Sequence, residues 1–318
     1  MIAGIPKISV LIITYKQEEL IKRAIDSLLA QKEYVYEICV SDDCSPDNTW
    51  EVLQEYDRHY PGLFKLNRNE PNLGIFSNIE KAWTMCTGEL VYTLAGDDEC
   101  PKDWFKTVIE YVLENRLDYR NDYFAVYGNY QACYPNGDSY VFSNKAIKSS
   151  IDPVRLSLRG IIGNRSAVFT RKVLESFKAV SVGKSYVAES AQDRQLQLFA
   201  KTNYYIPSVG NIYYARVGVS VHFSKDDFNG REDIEEYAQT FLESQGYSFN
   251  HKDLNYIRYR TESCKIFKDK SLKHRWQIIW LFVKSIDISL LMMQVRPKRY
   301  LFALLRRLPH IKPLSWVI

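Results

Sequence analysis

Two adjacent carboxylates, Asp97 and Asp98, follow a short apolar segment, residues 90–95, that is bounded by glycines. A short apolar run between glycines predicts a buried strand, and the carboxylates then stand at its C-terminal end. Two ionised carboxylates side by side repel each other, so a fold that places them there usually supplies a cation. Ligation by oxygen alone suits Mg²⁺ or Mn²⁺. The pair therefore predicts a divalent cation site, with a solvated acidic turn ahead of a helix as the alternative.

A second acidic pair, Asp42 and Asp43, ends another strand-like segment, residues 36–41. Open α/β sheets bind their ligands at the carboxyl ends of parallel strands. In a parallel sheet the two acidic pairs would lie on the same edge. A nucleotide fits that arrangement, because one carboxylate can accept the ring N–H of a base while another meets the ribose or a metal ion.

The elements that must position these carboxylates alternate between strand and helix over the first 100 residues. Such alternation predicts βαβ units and a mostly parallel sheet, which is an α/β fold. The pattern changes after about residue 115. The predicted elements there are a hairpin over 123–132 and 139–142, a strand at 166–170, helices from 171 and over 192–200, and a strand at 204–217.

Length and composition predict one large domain with an appendage, since 318 residues with 46% hydrophobic content can bury a sizeable core. The six cysteines form no C-x-x-C pair, which argues against a zinc site or a disulfide framework. No basic region precedes the first apolar segment, so we expect no secretory signal. A reducing cytosol is the simplest expectation for such a chain.

The charge is distributed unevenly along the chain. Residues 1–263 hold 30 Lys and Arg against 36 Asp and Glu, whereas residues 264–318 hold 12 against two, so the net charges are −6 and +10. A basic tail on an acidic body favours an anionic partner such as a membrane surface. Nucleic acid is disfavoured because no reading helix or stacking motif accompanies the charge. A solvated basic end without a partner is the alternative.

Four segments in order carry a family resemblance: ISVLIITYKQ from residue 8, VSDDCSPDNT from 40, NLGIFSNIEKA from 72 and GELVYTLAGDDECPKDW from 88. Together they resemble the inverting family-two glycosyltransferases with the GT-A fold, of the bacterial surface polysaccharide type. The resemblance implies a GT-A-like α/β fold over residues 1–225, with a donor-nucleotide half at 1–100 and an acceptor half at 101–225. Residues 226–318 would form a helical, basic appendage.

The resemblance also implies roles for individual residues of the donor half. Thr14 and Tyr15 would lie against the base, with Tyr15 stacking on it. Asp43 would accept the N3–H of uracil, although guanine offers N–H groups too. Asp97 would lie at the ribose and the metal ion, and Asp98 would be the principal metal ligand that bridges to the diphosphate. The implied cofactor is a divalent cation, Mn²⁺ or Mg²⁺.

The catalytic base of the family is an Asp at the start of a helix, and the matching residue here is Asp193. The family's preceding Glu is replaced by Gln192, and Asp193 could also be only a helix cap. The family often has Arg-Asn where this chain has Ser77 and Asn78, so only Asn78 is retained as a donor contact.

On the acceptor side, Asn164 and Arg165 follow a glycine-containing segment that starts at residue 160, and Trp104 could offer its ring to a sugar. A tryptophan in the core is the alternative for Trp104. The family's Arg-x-His pattern is lost after Arg216, and His222 could reach the metal or phosphate only by a shift in register. A surface histidine is the alternative.

The tail contains a segment long enough to cross a bilayer, residues 276–295, but Lys284 and Asp287 near its centre would cost about 2.5–3.5 kcal/mol each. Lys273, Gln277 and Lys284 belong to one polar stripe with a broad apolar face opposite. These features predict interfacial helices on anionic lipid over 273–318. A helical appendage that packs on the body or joins two copies is the alternative.

These observations predict a metal-dependent inverting glycosyltransferase. It would move a sugar from a nucleotide diphosphate sugar, with uridine favoured, to a hydroxyl of a glycan acceptor. The tail indicates a lipid-linked acceptor and a place on the cytoplasmic face of the inner membrane. A sugar nucleotidyltransferase is the enzyme alternative, although residues 15–19 are not the basic, glycine-rich loop that it needs. A catalytically silent nucleotide-sugar-binding scaffold is the alternative from another class.

Overall fold

The structure is a computed structural model of the whole chain. It describes residues 4–144, 147, 153, 164–176, 193–217, 239–240, 242–244, 246–265 and 271–285. The chain divides into two compact units, one of residues 1–181 and 192–223 and the other of 182–191 and 224–318. The assignment of a donor half and an acceptor half within the first unit stays a prediction.

Among the described residues, eight strands of the first unit form one mixed sheet. The strands are β1 (Ile8–Thr14), β2 (Val35–Asp42), β3 (Phe64–Arg68), β4 (Leu90–Ala95), β5 (Phe124–Cys133), β6 (Ser139–Phe142), β7 (Val168–Thr170) and β8 (Thr202–Tyr214). The order is β3-β2-β1-β4-β7-β5-β6, and β8 pairs with β5. The first four strands are parallel, β7 is antiparallel to both of its neighbours, and β5 and β8 are parallel. The predicted α/β fold with a mostly parallel sheet is confirmed.

The helices of the first unit follow the strands in the predicted alternation. They are α1 (Leu20–Leu29), α2 (Thr49–His59), α3 (Ile75–Met85), α4 (Trp104–Glu114) and α5 (Arg171–Glu175), and residues 193–199 are helical as well. In α1 the apolar residues at helical spacing, Ile21, Ala24, Ile25 and Leu28, are all fully buried. Burial of one apolar face is what fixes such a helix on a sheet.

The register of the parallel strands brings three strand ends together. Thr14 of β1 is opposite Asp42 of β2, and Ile13 is opposite Ala95 of β4. Asp43 and the Asp97–Asp98 pair directly follow two of these ends. Both acidic pairs therefore lie on one edge of the sheet, as the sequence predicted.

At the opposite ends of the same strands, Glu37 of β2 is buried and bound by three residues. It accepts hydrogen bonds from the Ser9 hydroxyl at 2.6 Å and the Thr87 main-chain N–H at 2.6 Å, and Lys65 Nζ lies 2.7 Å away. Burial alone would raise the pKa of Glu37, but the hydrogen bonds from Lys65, Ser9 and Thr87 outweigh it and lower the pKa. This contact joins β1, β2, β3 and the residues that lead into β4.

The second unit contains two described helices, α6 (His251–Cys264) and α7 (Leu272–Lys284). They pack together through the rings of Tyr259 and Phe282, whose centroids are 5.1 Å apart, and through His274 Nε2 and Glu262 Oε2 at 3.0 Å. The opposite face of α7 exposes an apolar stripe in which each side chain is more than half accessible: Leu272, Trp276, Trp280 and Val283. Neither of these helices, nor any other in the described ranges, has the length and apolar character that crossing a bilayer requires.

Candidate active site

The turn after β4 carries the two carboxylates that the sequence singled out. Asp98 is 2% exposed and accepts a hydrogen bond from the Tyr214 main-chain N–H at 3.2 Å. Its Oδ2 lies 3.7 Å from a guanidinium nitrogen of Arg165. Burial raises the pKa of Asp98 to about 7, although Arg165 opposes the shift, and the charge of Asp97 adds to it. Burial also raises the pKa of Asp97. The turn therefore holds two carboxyl groups where ionisation is unfavourable, and a bound cation would favour their charged forms.

A cluster of side chains that the sequence did not single out holds this turn. The guanidinium of Arg23 on α1 lies over the Tyr214 ring at 3.6 Å, and its Nε is 3.4 Å from Glu99 Oε1. Arg23 also donates a hydrogen bond to the main-chain oxygen of Asp97. The Tyr214 hydroxyl donates to Glu99 at 2.7 Å. The local signal for this cluster was a pair of adjacent tyrosines at the end of a strand, which is too common to identify a site.

On the neighbouring strand ends, Asp43 ties β2 to the loop before α3. One carboxylate oxygen accepts hydrogen bonds from Asn69 Nδ2 at 2.9 Å and the Leu73 N–H at 2.8 Å, and the other accepts from the Gly74 N–H at 2.8 Å. An ionised carboxylate has about four acceptor positions, so the second oxygen can accept one further N–H. The predicted contact of Asp43 with a base stays a prediction.

Thr14 and Tyr15 differ in how accessible their side chains are. Thr14 is buried, and its hydroxyl donates to Gln17 Oε1 at 2.8 Å. Tyr15 is 38% exposed, with Lys16 Nζ 5.2 Å from its ring centre. Of the two side chains, that of Tyr15 is the accessible one, and its ring could stack on a base.

Asn78 is a buried residue of the hydrogen-bond network behind Asp43. Asn78 is 2% exposed, donates to the Ser41 main-chain oxygen at 3.0 Å and accepts from Asn69 at 2.8 Å. Its side chain therefore supports Asp43 through Asn69, and its predicted contact with the donor stays a prediction.

Trp104 is 1% exposed and belongs to the core, so the prediction that it offers its ring to a sugar is wrong. Its ring packs against the main chain of β5 and β8 at Gly128 and Gly210, where a Cβ would lie 2.7 and 2.6 Å from ring atoms. Only glycine leaves room for an indole at that distance, and this pairing of strand glycines with a tryptophan could not be seen in the local pattern.

A short 3₁₀ turn, residues 164–166, connects the candidate base to the acidic pair. Asn164 Nδ2 donates to Asp193 Oδ1 at 3.1 Å and to its main-chain oxygen at 3.0 Å. The next residue, Arg165, is the one beside Asp98, and its guanidinium also lies 3.9 Å from the Tyr213 ring centre. Consecutive Cα atoms are about 3.8 Å apart. Asp193 and Asp98 thus contact adjacent residues of one turn.

Some predicted residues lie outside the described part of the chain. These are His222, Gln192 and the glycine-containing segment 160–163. Burial, and after it the charge of Asp193, raise the pKa of the hydroxyl of Tyr127, a buried residue that the sequence did not single out.

The donor set at Asp97 and Asp98 fits a hard divalent cation, since both residues offer carboxylate oxygens. Within the described ranges, no cluster of three or more His, Cys, Asp or Glu side chains could enclose a metal ion. Mg²⁺ is typically bound through one or two carboxylates together with substrate phosphates and water. The two carboxylates therefore suit a cation whose remaining ligands come from a bound diphosphate.

Solved structures resemble this fold at low sequence identity. A crystal structure of S. aureus TarS aligns over 94% of this chain and 83% of its own, with a TM-score of 0.62 and 16% identity. Another structure of that protein contains UDP-GlcNAc. The mannosyltransferase PcManGT from Pyrobaculum calidifontis, in complex with GDP-Man and Mn²⁺, aligns over 96% of this chain and 85% of its own, with a TM-score of 0.53 and 15% identity. These similarities support the GT-A-like fold.

Sequence relatives match parts of the chain. The abequosyltransferase RfbV of Salmonella typhimurium is 25% identical over 193 residues, which are 58% of this chain and 57% of that protein. The first curated relatives are matched over only 26% of their length. The model of glycosyl transferase family 2 matches residues 9–176, which is more than half of the chain and includes the four parallel strands β1 to β4 apart from the first residue of β1. The chain therefore belongs to glycosyl transferase family 2.

Proposed function

We propose that this protein transfers a sugar, with inversion at the anomeric carbon, from a nucleotide diphosphate sugar to a hydroxyl of a glycan acceptor, and that it needs a divalent cation. The observation that carries the proposal is the 164–166 turn, which contacts Asp193 through one residue and Asp98 through the next. A base for the acceptor and a site for the leaving diphosphate must lie close together, because one bond forms as the other breaks.

Each carboxylate has a separate part in the proposed reaction. Asp98, with Asp97, would hold Mn²⁺ or Mg²⁺. A bound cation neutralises the charge that develops on the leaving diphosphate. Asp193 would accept the proton of the acceptor hydroxyl as that hydroxyl attacks from the face opposite the leaving group. A general base of this kind contributes on the order of 10²–10⁴-fold to the rate.

The donor is proposed to be a uridine diphosphate sugar, with Tyr15 stacking on the base and Asp43 accepting the N3–H of uracil. Support comes from the place of Asp43 directly after β2, beside the end of β1, and from the accessible ring of Tyr15. The TarS complex with UDP-GlcNAc supports a uridine donor, and the PcManGT complex with GDP-Man keeps guanosine as the second candidate.

The acceptor is proposed to be a lipid-linked glycan in the synthesis of a bacterial surface polysaccharide, with the protein peripheral on the cytoplasmic face of the inner membrane. The name of one relative, the putative teichuronic acid biosynthesis glycosyltransferase TuaG of Bacillus subtilis, supports the polysaccharide class. The basic charge of 264–318 and the exposed tryptophans of α7 support an anionic membrane surface.

A screen of uridine and guanosine diphosphate sugars with Mn²⁺, scored by thermal shift and by hydrolysis of the donor, tests the proposal. We expect at least one uridine donor to stabilise the protein and to be hydrolysed slowly with water as the acceptor. If neither class of donor binds, the proposed function is wrong.

Asp193→Asn separates an enzyme from a silent scaffold. We expect kcat for donor turnover to fall about 10²–10⁴-fold, because the amide cannot accept the proton, while the donor still binds. Binding is measured by calorimetry on the same preparation. Unchanged turnover in this variant would remove Asp193 from the mechanism and favour a different base, whereas a wild type that binds the donor without turning it over would favour the scaffold.

A further inference from the structure

The side chain of Asn164 makes three hydrogen bonds around the candidate base. Its Nδ2 donates to Asp193 Oδ1 at 3.1 Å and to the Asp193 main-chain oxygen at 3.0 Å. Its Oδ1 accepts from Gln197 Nε2 at 3.0 Å. The amide thus lies between Asp193 and a residue one helical turn later.

The chemistry of the groups fixes the direction of these bonds. An ionised carboxylate can only accept, so the amide nitrogen of Asn164 must face Asp193. The amide oxygen then faces Gln197, whose nitrogen donates to it. Because Asn164 binds both the main chain and the carboxylate of Asp193, it restricts the rotation that would aim the carboxylate elsewhere.

The turn that carries Asn164 is itself held firmly by the sheet. The hydroxyl of Ser166 donates to the main-chain oxygen of Gly128 on β5 at 2.7 Å, and Ser166 is fully buried. The Ala167 N–H closes the turn on the Asn164 main-chain oxygen at 2.8 Å. A side chain on such a support can hold a second group in a narrow range of positions.

We infer that Asn164 is a positioning residue that aims the carboxylate of Asp193 at the acceptor, with Gln197 fixing the orientation of its amide. This role replaces the acceptor contact that the sequence predicted for Asn164, and it rests on the proposed function. Arg165, the next residue of the same turn, lies beside Asp98. The turn therefore contacts both the base and the acidic pair through neighbouring residues.

The test uses the full-length protein with Mn²⁺ and whichever uridine or guanosine diphosphate sugar is hydrolysed in the screen. For Asn164→Ala we expect kcat to fall about 10- to 100-fold, because a misplaced catalytic group costs about that much. The Kd for UDP or GDP should change less than about threefold, since the nucleotide does not use this contact. The acid limb of the kcat profile should move to higher pH, because a carboxylate that loses a donor binds a proton more readily.

Two further variants guard against a loss of folding. Gln197→Leu leaves the donor of Asn164 in place but removes its partner, so kcat should fall in the same direction by a smaller factor. Asn203→Ala is the matched control, because Asn203 is 1% exposed and its amide donates to the Ala200 main-chain oxygen at 2.9 Å. The control should keep the kcat and the pH profile of the wild type.

In an Asp193→Asn background, Asn164→Ala should lower kcat no further, because the two residues act as a unit.

The outcomes separate this inference from the proposed function. An inactive Asp193→Asn enzyme beside an Asn164→Ala enzyme with unchanged kcat and acid limb overturns the positioning role and leaves the proposed function standing. An Asp193→Asn enzyme as fast as the wild type overturns the positioning role together with the base assigned to the reaction, and a protein that binds neither class of donor overturns the proposed function. Equal losses of nucleotide affinity, thermal stability and kcat in Asn164→Ala also overturn the inference, since they indicate a structural role. If Asn164→Ala does not fold, a wild-type profile for Gln197→Leu overturns it instead.

Discussion

At the scale of single residues, the site is built from carboxylates whose surroundings differ. Asp98 is buried, and a guanidinium nitrogen of Arg165 lies 3.7 Å from its carboxylate. Asp43 instead accepts hydrogen bonds from three N–H groups. Burying an anion costs free energy unless a cation or donors replace water. Asp98 therefore lowers the stability of the metal-free protein, and a bound cation would relieve that cost.

Asp98→Asn tests this cost. The ordinary pKa of 3.8 rises to about 7 in the folded protein, so the penalty is fully present above pH 7 and fades as the pH falls toward 4. In the presence of a chelator we expect the variant to be more stable than the wild type at pH 8, by up to about 4 kcal/mol. At pH 5 the difference should be less than about half of that at pH 8, and the two free energies of unfolding should converge only as the pH falls below the unfolded pKa of 3.8.

Chemical denaturation at both pH values measures the effect, and Mn²⁺ gives the complementary result. Mn²⁺ should raise the melting temperature of the wild type more than that of Asp98→Asn, because binding to the folded state stabilises it. A variant that is less stable than the wild type at pH 8 would contradict the argument.

At the scale of elements, the parallel strands are fixed at both ends. Their carboxyl ends carry the site, and their opposite ends converge on Glu37, which binds Ser9, Lys65 and Thr87. Since these residues come from β1, β3 and the approach to β4, their contact sets the relative register of the strands. The geometry of the site therefore depends on a buried carboxylate at the far edge of the sheet.

Glu37→Gln should lower the free energy of unfolding by about 1–3 kcal/mol at pH 7, because a charged acceptor with several donors is replaced by a neutral amide. The lowered pKa of Glu37 means that its stabilisation is present above the unfolded pKa and is lost as the pH falls through the folded one. The difference between the two proteins should therefore shrink at acidic pH. Glu110→Gln is the control: its pair with Lys106 is exposed, so it should change stability little.

At the scale of the whole molecule, the charge is uneven and one helix of the second unit is apolar on two faces. One face of α7 packs on α6, and the other exposes Trp276 and Trp280, with Lys284 Nζ 3.7 Å from the Trp280 ring centre. Tryptophan beside lysine is typical of the headgroup region of a bilayer. This supports the proposed membrane surface and identifies the residues that would enter it.

Replacing Trp276 and Trp280 together by Ser should reduce flotation with liposomes that contain anionic lipid by about tenfold or more. The reason is that the variant lacks the two large apolar rings that would be buried in the bilayer interface. Leu113→Ser is the control, since Leu113 is 44% exposed on a helix of the first unit. Flotation of the wild type should also weaken in high salt. If the double variant floats as well as the wild type, the stripe does not bind lipid. A change in molecular mass without lipid would instead indicate that it joins two copies.

The sequence by itself determined the order of the elements and which residues stand at the strand ends. Strand and helix periodicities are local, so the buried runs of β1, β2 and β4 and the carboxylates behind them could be predicted from short segments. The hairpin of β5 and β6 and the helix at 193–199 were predicted within a few residues for the same reason.

Only the tertiary structure decided what each side chain touches. The burial of Trp104 depends on glycines of β5 and β8 that lie far along the chain, and the role of Asn78 depends on its hydrogen bonds to β2. The bond from Asn164 to Asp193 spans 29 residues, and the contact of Arg165 with Asp98 spans a longer stretch. Local pattern carries no information about such pairs, because the order of strands in the sheet, and not spacing along the chain, brings them together.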